Sequence, residues 1–255
     1  MSLLSIVIIF GLIGTVVLAI EIGYRIGLFW FAAIPEAARR VAPTIEGSIF
    51  GLMALLIAFT FSGAASRFDI RRNLIVEEAN IIGTAYLRLD LLPAEAQPGL
   101  RDGFRKYVRS RIAVYQNIRD VQALRRQLSR SEAIQNVLWK EVLEGTRTSG
   151  AATQSLMLTS MNQLIDITTT RTVALTTHPP VAIYAMLGLA VFVSSALAGY
   201  AMSLSGSRDW MQIIIFAVVL GVAIYVILDY EYPRVGLVRV DPVDQVLVEE
   251  LNKMK

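Results

Sequence analysis

The carboxylates of this 255-residue chain are few inside its apolar stretches, so where they fall limits the chemistry it can do. Glu77, Glu78 and Asn80 lie within four consecutive positions. Carboxylates joined by an amide are the oxygen ligands that a hard cation such as calcium takes. Neighbouring helical positions, however, diverge by about 100°. No loop of alternating oxygen ligands accompanies the three. The sequence therefore favours a salt-bridged helix surface, with Arg71 and Arg72 as near partners and Arg88 further along. Asp229 and Glu231 close an apolar run and form a second candidate ion-binding pair. Glu21 and Glu46 stand near the ends of two other apolar runs. Ionisable groups at membrane depth are functional candidates, but at helix ends an interfacial position is the simpler reading.

Other chemistry is thin. The chain has no cysteine and one histidine, His178, so a thiol site or a histidine-based metal cluster within one chain is excluded. His178 stands against Pro179 and Pro180 with no carboxylate beside it in sequence, which favours a structural or capping role over catalysis. No P-loop, GxSxG or HExxH run occurs. The expectation is a protein that is not an enzyme and needs neither cofactor nor metal.

The elements that hold these groups are helices. Hydrophobic residues make up 55% of the chain and the mean hydropathy is +0.54, too apolar for an ordinary soluble domain. A bilayer core of about 30 Å needs roughly 20 apolar residues as a helix. Four stretches meet this, at about 3–22, 45–66, 180–204 and 211–228. The first lacks a basic start and a small-residue cleavage site, so it reads as a retained membrane helix rather than a signal peptide. The spans predict four pieces: a first helix pair (1–66), a helical insert (67–178), a second helix pair (179–228) and a tail (229–255).

Within the insert, Ile75, Ala79, Ile82, Tyr86 and Leu89 form one apolar stripe at helical spacing. Pro93 stops that helix. Further helices are expected from near Pro98, over 130–143 and over 151–177, with a Gly/Ser/Thr loop at 145–150. The tail mixes Val-rich pieces with Pro233 and Pro242, and reads as an irregular stretch followed by a short helix, a strand or a docking arm.

Charge sets the orientation. The insert holds 16 Lys/Arg and 11 Asp/Glu, whereas the two short loops hold only Arg25, Arg39, Arg40 and Arg208. Positive charge gathers on the cytoplasmic side, so both termini and the insert are expected there. The basic residues of the insert are interleaved with acids, without the aromatic pattern of a nucleic-acid module. Arg125, Arg126 and Arg130 could meet anionic lipid.

Residues 45–92 carry the strongest signal. They read as one uninterrupted helix, apolar to Ser66 and amphipathic beyond Arg67. Around its axis, Gly47, Gly51, Ala54, Ala58 and Ala65 share one face, suited to close helix packing. Leu52, Leu56, Phe59 and Gly63 share the opposite face, with Thr60 and Arg67 near it. That face points either to lipid or to the axis of a symmetric oligomer, where a ring of apolar side chains gates by dewetting. A secondary transporter would want charged groups at mid-span, and the centres of all four spans lack them.

The run LLIAFTFSGAASRFDIRRNLIVEEANIIGTAYLRLDLLP resembles a bacterial bestrophin-like membrane family, and YVILDYEYPRVGLVRVD resembles that family's closing motif. HPP before the third span and DWMQ before the fourth fit as well. The resemblance implies an all-α membrane protein with four transmembrane helices and a cytosolic helical insert between the second and third. Bestrophins are pentameric anion channels whose second membrane helix lines a hydrophobic neck. By position the neck residues here would be Leu52, Leu56 and Phe59. No acidic cluster matches the bestrophin calcium clasp, and Thr60 follows the second turn of the bulky face.

The expectation is therefore an oligomeric ion channel in the bacterial inner membrane, probing small inorganic ions and lipid rather than nucleic acid. Its pore would be lined by Leu52, Leu56, Phe59, Thr60, Gly63 and Arg67, with Gly47, Gly51, Ala54 and Ala58 packing helices together. The alternative is a non-conducting scaffold or sensor whose insert binds a partner.

Overall fold

The computed structural model describes residues 3–30, 36–116, 121–205, 208–233, 236–238 and 241–254. The described residues are helical with no strand. Eight α-helices follow in order: α1 (Leu3–Trp30), α2 (Glu36–Leu87), α3 (Gln97–Gln116), α4 (Val121–Gly145), α5 (Ala151–Thr176), α6 (Val181–Ser205), α7 (Trp210–Glu231) and α8 (Asp241–Lys253). A 3-10 turn, Arg88–Leu91, extends α2 towards Pro93. Four helical stretches are long and apolar enough to cross a membrane: Leu3–Trp30, Pro43–Leu91, Ala151–Leu204 and Trp210–Glu231. The chain divides into two compact units, residues 1–68 with 178–239, and residues 69–177 with 240–255.

The first unit is a helical bundle. α1 runs eight residues beyond the apolar stretch that defines it in sequence. Glu21 and Arg25 explain the extension: spaced i,i+4, they pair at 2.7 Å on the helix surface, and Arg208 takes the other oxygen of Glu21 at 2.7 Å. α1 crosses α6 at very close range because both are glycine-bearing there. A Cβ on Gly23 would collide with the backbone carbonyl of Ala196, and one on Gly199 with that of Ile20. A Cβ on Gly27 would collide with the Ser203 side-chain hydroxyl. α7 begins at Asp209, whose carboxylate accepts the backbone N–H groups of Met211 (2.9 Å) and Gln212 (3.2 Å) and so caps the helix. α2 packs on α7 through edge-on aromatic pairs, Phe50 with Phe216 and Phe61 with Tyr230. Val16, Ile20, Met53, Ala64, Leu187 and Ala217 are buried together in this unit's core.

The second unit has its own core. The stripe read from sequence, Ile75, Ala79, Ile82, Tyr86 and Leu89, is buried throughout. From Ala79 onward it meets Phe104 and Tyr107 of α3, Leu138 of α4, and Met157, Met161 and Leu164 of α5. α4 starts at Val121 rather than near 130, because Leu124 and Leu128 also pack on this core. The tail resolves into α8, an amphipathic helix whose Leu247 is wholly buried in the same cluster. Glu250 of α8 lies over Gly83 of α2, where a Cβ would press on its carboxylate. The tail therefore divides: Asp229 and Glu231 finish α7, while residues 240–255 belong to the unit of the insert.

Candidate functional site

α2 presents three faces within the first unit. Phe50, Met53, Ile57 and Ala64 turn into the protomer core. Leu56 packs half-buried against that same core. Leu52 and Phe59 are left outside, 57% and 67% exposed. The bulky row read from sequence is thus split by the structure, with its two ends outward and its middle residue half inward. Thr60 is half-buried and spends its hydroxyl on the Leu56 carbonyl, 2.6 Å away. Gly47, Gly51, Ala54 and Ala58 are all exposed. A Cβ on Gly47 or Gly51 would meet no atom within 4 Å. The small-residue stripe therefore packs nothing within the protomer. Intramolecular close packing falls instead to Gly23, Gly27 and Gly199. Their spacing, Gly23 four before Gly27 and Gly199 four before Ser203, is the same small-residue signal, and it was legible in α1 and α6.

Arg67, at the end of this part of α2, donates through Nε to Glu231 Oε2 at 2.7 Å. The other oxygen of Glu231 stands 2.8 Å from Nδ1 of His178. The His178 ring stacks on Tyr232, with centroids 4.8 Å apart. Glu231 is buried, so its charge is held by these partners rather than by water. Asp229 is buried too. It accepts the backbone N–H groups of Leu237 (3.0 Å) and Val238 (2.8 Å), and the Tyr225 hydroxyl lies 3.4 Å away. It closes the turn after α7, and Gly236 is needed there because a Cβ would strike the carboxylate. Both acids are therefore buried and held by protein partners. Sequence offered no sign of this, since the Arg67 partner of Glu231 lies on a different helix far along the chain.

The Glu77, Glu78 and Asn80 group does not come together. Glu77 and Asn80 are exposed, whereas Glu78 is fully buried in the second unit. The solvated surface pair with Arg71 and Arg72 is corrected for Glu78: its partners are Arg111 of α3 and Arg171 of α5, each in a salt bridge. The reason is register, since Glu78 falls beside Ile75, Ala79 and Ile82 on the core stripe, while Glu77 falls a hundred degrees away. Arg71 turns instead to the end of α5, donating to the Ala174 (3.0 Å) and Thr177 (2.9 Å) carbonyls. Tyr115 bonds both Arg111 and Glu78, and the Arg171 guanidinium lies 3.6 Å from the centre of its ring. Burial pushes the Tyr115 and Tyr107 hydroxyls well above the usual tyrosine range, so both remain neutral donors. Burial opposes the charge on Arg111, but Glu78 outweighs it and holds the guanidinium above its ordinary value. This is a structural network. Among the described residues no group of three or more His, Asp or Glu is placed to hold a metal ion.

The bestrophin-like domain matches residues 27–245. No curated protein matches the chain. Among solved structures it is similar to a bacterial bestrophin homologue from Klebsiella pneumoniae. One mutant form gives a TM-score of 0.68 at 18% identity, covering 96% of this chain and 98% of the other. A second mutant form gives 0.70 at 17% identity, covering 96% and 97%. A crystal structure described as a membrane protein gives 0.68 at 19% identity, covering 96% and 98%. Identities this low speak to the fold, and the fold they share is the one described above. With the domain match spanning most of its length, the chain belongs to the bestrophin-like family.

Proposed function

We propose that this membrane protein is one subunit of a homo-oligomeric ion channel, anion-conducting, with an axial pore lined by α2. The observation that carries the reading is the outward row on α2. Leu52 and Phe59 are large, apolar and unused by the protomer, and the neighbouring Gly47, Gly51, Ala54 and Ala58 are bare. Small residues let a neighbouring helix approach closely. A ring of such subunits would bury the small edge between neighbours and turn Leu52 and Phe59 towards the axis as an apolar neck. Such a neck conducts poorly until it is wetted. Family membership supports the ring, and the bestrophin resemblance supports five subunits and anions. The charge distribution supports the bacterial inner membrane, with the insert of 67–178 and both termini on the cytoplasmic side.

The experiment is flux through reconstituted protein. Purified protein in liposomes should pass small inorganic ions, and Phe59→Ala should raise the conductance several-fold by widening and wetting the neck. Absence of any flux, together with a monomer in detergent and lipid-facing crosslinks from Leu52 and Phe59, would instead support a non-conducting scaffold or sensor.

A further inference from the structure

The geometry points to Arg67 as an anion-coordinating site on the pore-lining face of α2, one guanidinium per subunit. This rests on the channel reading and adds the group that sets selectivity.

Helical side chains lean towards the N-terminus, over the residue four positions earlier. For Arg67 that residue is Gly63, which has no side chain to hold it off. A Cβ at Gly63 would lie only 3.2 Å from Nη1 of Arg67 and 3.7 Å from Nη2. The guanidinium therefore rests on the helix surface at Gly63, and Gly63 shares its face with Leu52 and Phe59. Arg67 thus reaches the apolar row although its own Cα is turned partly aside.

The two ends of the guanidinium have different work. Nε is held by Glu231, whose side chain is fully buried and whose second oxygen is held by His178. Nη1 and Nη2 have no hydrogen-bond partner among the described residues, and the side chain is 28% exposed. Glu231 anchors the group from behind, and the open edge of the fork faces outward. An approaching ion meets N–H donors before it meets the carboxylate. A planar cationic fork with free donors suits a small inorganic anion, and an oxyanion such as nitrate or bicarbonate can take both donors at once.

The test is the reversal potential of reconstituted channels in asymmetric sodium chloride. A unit charge in water about 5 Å from a passing ion changes its local concentration about fourfold. The charge favours chloride and disfavours sodium by the same factor, so Arg67→Gln should lower the chloride-to-sodium permeability ratio by about sixteenfold. Gly63→Ala leaves the Arg67–Glu231 pair intact and displaces the guanidinium by only a few tenths of an ångström, so it should lower the ratio by much less. Arg67→Lys keeps a charge and should retain most of the preference. Should Arg67→Gln fail to assemble because the buried Glu231 loses its Arg67 partner, the double variant Arg67→Gln/Glu231→Gln removes both charges and decides the matter. Conducting channels with a wild-type ratio in Arg67→Gln, or in the double variant where the single one does not assemble, overturn this site and leave the channel standing. A wild-type protein that passes no ions overturns both.

Discussion

Glu78→Gln should destabilise the unit formed by residues 69–177 and 240–255 by about 3–5 kcal/mol, the range for breaking a buried ion pair from one side. Glu78 is a carboxylate in a buried group that also holds Arg111, Arg171 and Tyr115. With its charge gone, two guanidinium groups remain in the core facing each other's charge, without the counter-ion that justified their burial. One of them already has an unpartnered nitrogen among the described residues, Nη1 of Arg111. Cation–π contact with Tyr115 recovers only about 1–2 kcal/mol. Glu77→Gln is the control one residue away. Glu77 is exposed, and its loss should stay within about 0.5 kcal/mol. Hydrogen exchange across α3 and α5 reads the difference directly. Equal protection in the two variants would show that the cluster contributes nothing to stability.

The second large effect belongs to the α1–α6 crossing. Gly199→Ala places a methyl group where the Ile20 carbonyl already is, and backbone cannot step aside as a side chain can. The helices must separate, and the loss should reach at least the 1–3 kcal/mol typical of an overpacked core. Gly23→Ala should do the same from the other side, against Ala196. Gly188→Ala, on the same helix as Gly199, meets nothing within 4 Å and should be silent. Thermal aggregation in detergent, followed by the fraction remaining monodisperse, separates the three. If Gly199→Ala survives heating as well as Gly188→Ala, the helices at this crossing are looser than the geometry requires.

These two sites also mark the reach of the sequence. Hydropathy located four spans and helical periodicity located the insert helices, because both signals are local. The stripe from Ile75 to Leu89 was legible for the same reason. What was not legible is partnership. Glu78 looked like a surface residue because Arg71, Arg72 and Arg88 stand near it in sequence as salt-bridge partners. Its true partners lie on α3 and α5, and nothing in the stretch around it names them. Glu231 met Arg67 and His178 by the same kind of distant pairing. The glycines erred in the other direction. A small-residue stripe was visible on α2, yet the protomer uses those on α1 and α6 instead. Periodicity shows that a face can pack closely, and only the fold shows whether anything comes to it.

The placement of α8 has a consequence for the order in which the protein is made. Leu247 fills the same cluster as Ile82, Phe104 and Leu164, and Met254 is buried there with it. Translation delivers α2 through α5 first, then α6 and α7, and α8 after them. Domains tend to fold as they emerge, but this one lacks a piece of its interior until the chain has been synthesised through residues 241–254. Until then its apolar interior stays open on the side that α8 covers. The ribosome thus finishes all four apolar spans before the insert between the second and third can close.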